Sequence, residues 1–97
     1  MMADYEKTEK LLNALASKTR LQILKLIEDG LPNPGDMAKK LGLHRSTVEK
    51  HLRVLLSAKI VEKVPALSKG GQLTIQYRIS GHAVHLLSVI EEASKSF

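Results

Sequence analysis

The stretch from Asp36 to Lys63, DMAKKLGLHRSTVEKHLRVLLSAKIVEK, constrains the fold more than any other part of the sequence. Its apolar residues first recur at helical spacing up to Gly42, whose permissive backbone lets the chain turn. Leu43 is then expected to pack inward, and a second helical pattern follows from His44 onward. Two short helices joined by a glycine-centred turn predict a helix-turn-helix.

The second helix of this unit separates apolar from hydrogen-bonding residues. Its inward stripe consists of Val48, Leu52, Leu55 and Leu56. The opposite face carries Arg45, Ser46, Glu49, Lys50 and Arg53. Arginine and lysine contact guanine acceptors or phosphate, so this face suits the major groove of DNA. A basic helix face can also be plain solvated surface, but the hydrophobic run and strand pair that follow favour the DNA interpretation.

Positive charge is concentrated in the middle of the chain. The formal net charge is +5; residues 37–79 carry nine basic against two acidic residues, whereas residues 1–36 carry five against six and residues 80–97 one against two. A concentrated basic segment gains most from a partner with dense phosphate charge, because counterions are released on binding. A membrane surface is also anionic, but the segment lacks the apolar face that an interfacial helix buries. We therefore expect nucleic acid as the partner.

Composition and motifs argue against several other classes of protein. The chain has no cysteine, which excludes disulfides, thiolate metal ligands and thiol catalysis. No segment has the apolar run of a signal peptide or a membrane span. No Ser/His/Asp order, phosphate-binding glycine loop or acidic cluster indicates an enzyme. We expect one soluble, cytoplasmic domain over residues 1–97 without a cofactor, and its small size favours dimerisation.

Two helices are predicted before the helix-turn-helix. The first is amphipathic and begins near Tyr5. The second runs from Lys18 to Asp29, with Ser17 as its N-cap and Gly30 at its end. Arg20 in this helix either contacts DNA or makes a structural hydrogen bond. The predicted inward stripe of the second helix consists of Leu21, Leu24 and Ile27, with Ile23 as a further candidate.

A strand pair is predicted after the helix-turn-helix, because the apolar period changes there from about 3.6 to about 2. Ile60 to Val64 is expected to pair in antiparallel with a half-buried strand. The inward residues of that strand are predicted to be Leu73, Ile75, Tyr77 and Ile79. The connection from Pro65 to Gln72 is predicted to be a flexible loop that projects as a wing. Lys69 at its tip either contacts phosphate or belongs to an ordinary turn.

A last helix is predicted from Gly81 to about Ser96, with Ser80 as its cap. Its apolar residues cover more than one stripe, which is more than the core of one small chain buries. The surplus is assigned to a homodimer interface shared with the first helix. This interface is predicted to contain Tyr5, Leu12, Leu86, Val89, Ile90, Ala93 and Phe97. The predicted fold class is mainly α with a small β-hairpin (α+β), a winged helix-turn-helix.

The sequence resembles the winged-helix repressors of the arsenical-resistance (ArsR) type. The matching pieces are ALASKTRLQILKLIEDG at 14–30, the stretch 36–63, and KGGQLTIQYRIS at 69–80, in the order and at the separation found in that family. The resemblance implies a homodimer built from the first and last helices, operator DNA as ligand, and repression of transcription. It also implies groove-facing positions for Arg45, Ser46, Thr47, Glu49 and Lys50, with Lys69 at the wing tip.

Two histidines of the second helix need separate interpretations. His44 departs from the small polar cap usual in the family, and it either accepts a backbone N–H or turns toward phosphate. His51 matches a position that is commonly histidine in the family. We interpret it as a half-buried packing residue rather than a base contact.

The metal-sensing function of some family members does not carry over to these residues. The segment LPNPGD at 31–36 has no cysteine, and Ala93 stands eleven residues after His82, where other sensors place histidine. His82 and His85 could hold zinc or nickel together with Glu91 or Glu92, but two histidines one turn apart are a weak signal. We expect no metal, and surface or dimer-interface roles for both histidines.

A different class of function is a winged-helix protein-interaction module in a larger complex, because one fold hosts many functions. The charge distribution and the presence of only three aromatic residues disfavour a protein-docking face. The same shortage of aromatic side chains disfavours RNA binding. The leading prediction is sequence-specific binding of double-stranded DNA by a homodimer.

Overall fold

The protein, described over residues 4–97 by a computed structural model, has five helices and one two-stranded sheet. The helices are α1 (Tyr5–Leu15), α2 (Lys18–Glu28), α3 (Pro34–Leu41), α4 (Arg45–Ser57) and α5 (Gly81–Ser94), and the strands β1 (Val61–Leu67) and β2 (Leu73–Ile79) lie between α4 and α5. The predicted winged helix-turn-helix is confirmed. Residues 1–3 of the predicted domain lie outside the described residues.

One apolar core lies between the helices and the base of the sheet. Its fully buried large side chains are Ile23, Met37, Val48, Leu52, Leu55 and Ile60. Burial of one such side chain stabilises the fold by roughly 1.5–3 kcal/mol relative to leaving it exposed. The prediction for α2 was wrong at Leu21, which is 45% exposed, because Ile23 and Leu24 occupy the core positions of that helix.

The turn between α3 and α4 follows from local capping. Asn33 caps α3, since its side-chain Oδ1 accepts hydrogen bonds from the backbone N–H groups of Gly35 and Asp36 at 2.8 and 3.3 Å. Gly42 ends α3 in the left-handed conformation, with φ of 67°, and Leu43 N–H donates to the Ala38 carbonyl at 3.0 Å. Leu43 is 37% exposed, so its predicted inward packing was wrong.

The hairpin is longer and its loop shorter than predicted. Residues 65–67 continue β1 and pair with β2, so the loop is only residues 68–72. Ser68 closes this loop, because its N–H donates to the Gln72 carbonyl at 2.8 Å and its Oγ accepts from Gln72 N–H at 3.2 Å. A two-stranded sheet consists of edge strands, where proline is tolerated, so Pro65 does not interrupt the strand.

The outer half of the hairpin stands away from the core. Tyr77 is buried and Ile79 partly buried, as predicted, but Leu73 is 72% and Ile75 40% exposed. Each strand residue advances the chain by about 3.3 Å, which carries the distal residues past the helices that cover the base. The distal apolar residues of β2 are therefore part of the wing surface, contrary to the prediction.

The turn after α4 places a lysine where a glycine is usual. Among residues 4–97, Lys59 is the only non-glycine residue with positive φ, at 60°. Its N–H donates to the Leu56 carbonyl and Ile60 N–H to the Leu55 carbonyl, both at 2.9 Å, which is the Schellman arrangement.

Replacing Lys59 with glycine is expected to raise the free energy of unfolding by roughly 0.5–1 kcal/mol. The gain comes from relief of the steric cost that a Cβ brings to the left-handed conformation, partly offset by the larger entropy of glycine in the unfolded chain. Urea unfolding followed by circular dichroism measures the change. A Lys59→Gly variant that is less stable than the wild type would contradict the claim that the backbone at Lys59 is strained.

The last helix packs on its own chain mainly through its beginning. Ala83 is buried and Leu86 and Leu87 are partly buried, whereas every residue from Ser88 onward is exposed. The helix ends at Ser94, two residues earlier than predicted. Ser80 does not cap it through its side chain; Ser80 Oγ instead donates to the Lys59 carbonyl at 2.9 Å. No helix of residues 4–97 has the length and apolar character needed to cross a membrane.

Candidate nucleic-acid interface

The first turn of α4 is open to solvent and uncapped by any side chain. His44 is the N-cap residue but makes no side-chain capping hydrogen bond, so its interpretation as an acceptor of a backbone N–H was wrong. Arg45 and Ser46 follow it and are exposed. The positive end of the helix dipole and an arginine therefore lie together at an accessible helix start, which favours anions.

The predicted polar face of α4 is one continuous surface. Ser46, Lys50 and Arg53 recur at intervals of four and three, which places them on one side of the helix. The exposed residues are His44, Arg45, Ser46, Lys50 and Arg53, while Thr47 and Glu49 are half-buried at its borders. The stripe of Val48, Leu52 and Leu55 on the opposite side is fully buried, so this orientation of α4 is set by the core.

Arg45 and Glu49 are paired at one border of this face. Arg45 Nε lies 3.4 Å from Glu49 Oε1, and the two side chains are 63% and 40% exposed. A solvated pair of this kind adds little to stability, but it orients the guanidinium along the helix.

The space around Gly35 is limited by two neighbouring side chains. A Cβ at Gly35 would lie 3.1 Å from the Asn33 Oδ1 that caps α3 and 3.9 Å from Arg45 Nη1. A glycine at position 35 thus leaves room for both, a reason the sequence alone did not reveal.

One side of the hairpin lies beside the first half of α4. A groove of about 400 Å³ separates them. It is lined by Pro34, by Arg45 and Glu49 of α4, and by Lys63, Leu73, Thr74, Ile75 and Tyr77 of the sheet. Lys69 is exposed in the loop at the far end of the hairpin. The structure therefore brings Arg45 close to the hairpin, while Lys69 does not line this groove.

Lys63 was not among the DNA-binding residues predicted from the sequence. It is exposed and pairs in register with Tyr77, which places it on the groove side of β1. The alternation of β1 could have identified it, since Lys63 lies two residues after the buried Val61 and shares its strand face.

Tyr77, on the same side of the sheet, has a perturbed phenol. Burial raises the pKa of Tyr77 above 10.0, and Glu49 raises it further, while Arg45 and Arg53 oppose the shift. The phenol therefore stays neutral at physiological pH.

Arg20 joins three elements behind the polar face. Its Nε donates to the Ala14 carbonyl at 2.6 Å and its Nη2 to the Asn13 carbonyl at 3.1 Å, which closes the end of α1. Its Nη1 lies 3.2 Å from Nδ1 of His51 on α4. Arginine has only donors, so His51 accepts through Nδ1. Arg20 thus makes structural hydrogen bonds, and the predicted half-burial of His51 is confirmed.

Stability is expected to fall with acidification because of His51. Burial, and to a smaller extent the charge of Arg20, lower the pKa of His51 below its ordinary value of 6.5. As the pH falls, the unfolded chain therefore binds a proton at His51 before the folded chain does. The contribution of neutral His51 to the free energy of unfolding is complete above pH 6.5 and is lost as the pH falls from 6.5 through the lower pKa of the folded state. Urea unfolding as a function of pH measures this loss. His51→Gln should show a shallower dependence over that interval, and parallel curves would contradict the assignment.

The predicted dimer residues are accessible in the single chain, with one exception. Tyr5 and Leu12 of α1 are 79% and 58% exposed. Val89 and Ile90 of α5 are 49% and 38% exposed. Ala93 and Phe97 are also exposed, whereas Leu86 is partly buried against the core. These side chains lie on the two terminal helices, except for Phe97, which follows the end of α5, and all lie outside the polar face of α4.

The predicted histidine pair of α5 is not a preformed metal cluster. His82 Nε2 lies 2.9 Å from the Lys59 carbonyl; a carbonyl oxygen can only accept, so the N–H at Nε2 donates this hydrogen bond. His85 is exposed. Within the part of the chain that the structure describes, no group of three or more His, Asp or Glu side chains could hold a common ion. The absence of a metal site stays a prediction.

Comparison with protein families gives a match to a model described as a helix-turn-helix domain, over residues 15–64. The HTH-type transcriptional regulator CmtR of Mycobacterium bovis is 44% identical over 52 residues, which are 54% of this chain and 44% of that protein. The HTH-type transcriptional regulator Rv2034 of Mycobacterium tuberculosis is 34% identical over 65 residues, 67% of this chain and 61% of that protein. The matched segment thus spans less than half the length of CmtR.

Solved structures share the fold of this chain. One is the solution structure of the homodimeric winged helix-turn-helix DNA-binding domain of Mb0332 from Mycobacterium bovis, described as a possible ArsR-family transcriptional regulator. It has a TM-score of 0.78 at 25% identity, with 97% of this chain and 88% of that chain covered. The cadmium metal-sensor CMTR of Mycobacterium tuberculosis has a TM-score of 0.62 at 36% identity, with 82% and 79% covered.

Proposed function

The chain belongs to the winged helix-turn-helix transcriptional regulators of the ArsR type, and from this premise we propose that it is a homodimeric repressor that reads a specific operator in double-stranded DNA. The observation that carries the proposal is the exposed polar face of α4, with an uncapped helix start and the wing beside it. We expect residues 1–97 to act as one domain in the cytoplasm.

In this proposal the first half of α4 enters the major groove. Arg45 and Lys50 contact base edges, with Ser46 and Thr47 as hydrogen-bonding partners of bases or phosphate. Glu49 orients Arg45 through their ion pair. Residues at the edges of the face contact the sugar-phosphate backbone, and these are His44, Arg53 and Lys69.

The proposed dimer supplies two such faces. An exposed apolar surface on two neighbouring terminal helices is typical of a protein interface, and the related domain of Mb0332 is homodimeric. A two-fold axis between the subunits would relate two copies of α4, so the operator should be an inverted repeat with half-sites about one helical turn, or a multiple, apart.

The signal that controls this repressor differs from that of its cadmium-sensing relative. Cadmium, a soft ion, is held best by thiolates, and the sequence contains no cysteine. We propose that the chain does not use thiolate metal chemistry.

Selection of bound fragments from a random duplex pool tests the proposal, because it returns the motif and its symmetry together. An enriched inverted repeat that binds at least about a thousandfold more tightly than unrelated duplex is expected for a specific regulator. Fragments without any common motif, bound equally at each salt concentration, would contradict sequence-specific regulation.

A further inference from the structure

A second groove lies where α1, the end of α4 and the start of α5 meet. Its volume is about 450 Å³, within the range of roughly 300–1,000 Å³ that is common for small-molecule sites. Its apolar floor is formed by Leu11, Ala58, Ile60, Ala83 and Leu86. None of the residues proposed to contact DNA lines it. This groove is thus separate from the polar face of α4.

The rim of this groove is positively charged. Lys7 and Lys10 line it from α1, and Lys59 lines it from the turn after α4. No Asp or Glu lines the groove. The ion pairs formed among residues 4–97 do not include any of these three lysines. An apolar floor below three cations that have no carboxylate partner in the described chain complements an amphipathic anion.

The position of Lys59 at the edge of the groove is fixed by its backbone. Lys59 holds the left-handed conformation that glycine adopts at lower cost. Two donors hold its carbonyl there, Ser80 Oγ and His82 Nε2, each at 2.9 Å. The fold thus fixes a strained residue, which carries a cationic side chain, at the edge of the groove.

We propose that this groove binds a small amphipathic acid, an aliphatic or aromatic monocarboxylate. Its carboxylate lies among Lys7, Lys10 and Lys59, and its apolar body covers the floor. Charged hydrogen bonds at the rim set the preference for an acid over a neutral molecule. Burial of the apolar body supplies most of the affinity and makes longer chains bind more tightly.

Such an acid would also be an effector of DNA binding, and this part rests on the proposed function. The groove touches the last turn of α4 and both helices of the proposed dimer interface. The residues of α1 that line it lie on the side of that helix opposite Tyr5 and Leu12. A ligand in the groove can therefore contact α1 and α5 on the side away from the proposed interface. It can thereby change the orientation of the two copies of α4 relative to each other.

Octanoate titrated into the full chain without DNA is the direct test, followed by amide chemical shifts and calorimetry. Shifts are expected at Leu11, Ile60, His82 and Leu86. Acetate, which lacks the apolar body, and 1-octanol, which lacks the charge, should each bind more weakly. Lengthening hexanoate to octanoate should tighten binding by about two- to fourfold per methylene. Equal affinities for octanoate and octanol, or no shifts at the groove, would overturn the site.

Lys59→Gly is the most informative variant, because the fold is expected to tolerate or favour it. Each lysine removed should weaken octanoate binding by about threefold, and the Lys7→Gln/Lys10→Gln pair by about tenfold. Lys25→Gln removes one charge from α2, outside the groove, and should bind octanoate as the wild type does. Wild-type octanoate affinity in both groove variants would overturn the assignment.

The two proposals fail separately. A protein that selects an operator but does not bind octanoate would overturn the acid site alone, and one that binds octanoate but no duplex would overturn the DNA-binding function alone. Saturating octanoate is expected to change operator affinity by about fivefold or more. Unchanged operator affinity with the groove filled would overturn the effector role.

Discussion

Replacing Arg45 and Lys50 together with alanine is expected to weaken binding to the selected operator by roughly 100-fold, because each loses a contact to base edges worth about 1–3 kcal/mol. Binding to unrelated duplex should fall much less, since only general attraction to phosphate is reduced there. Both side chains are exposed, so the fold should be unaffected. Fluorescence anisotropy with labelled operator and scrambled duplex measures the two affinities.

Two matched variants separate base contacts from general charge effects. Lys69→Ala should weaken operator and scrambled duplex alike and lower the salt slope by about 1, as expected for a phosphate contact. Lys25→Ala removes a charge from a surface ion pair on α2 and should change neither affinity measurably. If Arg45→Ala/Lys50→Ala bound the operator like the wild type at every salt concentration, α4 would not be the reading helix.

Replacing Val89 with aspartate is expected to weaken dimerisation by at least about 100-fold. Val89 is 49% exposed in the single chain, so a carboxylate there is tolerated in the monomer. In the proposed dimer the same carboxylate, present twice, would be buried without a partner, which costs several kcal/mol. Operator affinity should fall as well, because two separate monomers then bind the half-sites independently instead of as one linked dimer. Sedimentation velocity over a range of concentrations measures the dissociation constant.

Ser88→Asp is the control for that variant. Ser88 is the preceding residue of α5, is exposed, and lies on a different side of the helix from the proposed interface. It adds the same charge to the same helix and should leave the dimer intact. A Val89→Asp protein that stays dimeric, or a Ser88→Asp protein that dissociates equally, would show that the interface lies elsewhere.

The helix-turn-helix was predictable because its signals are local. Gly42 ends α3, and Val48 and Leu52 mark the inward side of α4; each acts within a few residues along the chain. The structure agrees with the exposed polar face for the same reason, since the 3.6-residue period that buries one side of a helix exposes the other.

Features set by distant parts of the chain were not predictable. Pro65 is a turn-forming residue in most contexts, yet pairing with Ile75 keeps it in a strand. The alternation of β2 gave Leu73 an inward position, but its side chain is 72% exposed in the structure. The link from Arg20 to His51 joins residues 31 positions apart and has no local signature. Each of these depends on which elements meet in space.

The central claim is that two copies of this chain present α4 to one inverted repeat, and the mass of the protein–DNA complex tests it most directly. Light scattering on a size-exclusion column, with a labelled duplex carrying the selected repeat, should give two chains per duplex at moderate salt. Complex formation should weaken steeply as salt is raised. A monomeric chain that passes the column without any bound duplex, even at low ionic strength, would contradict the account.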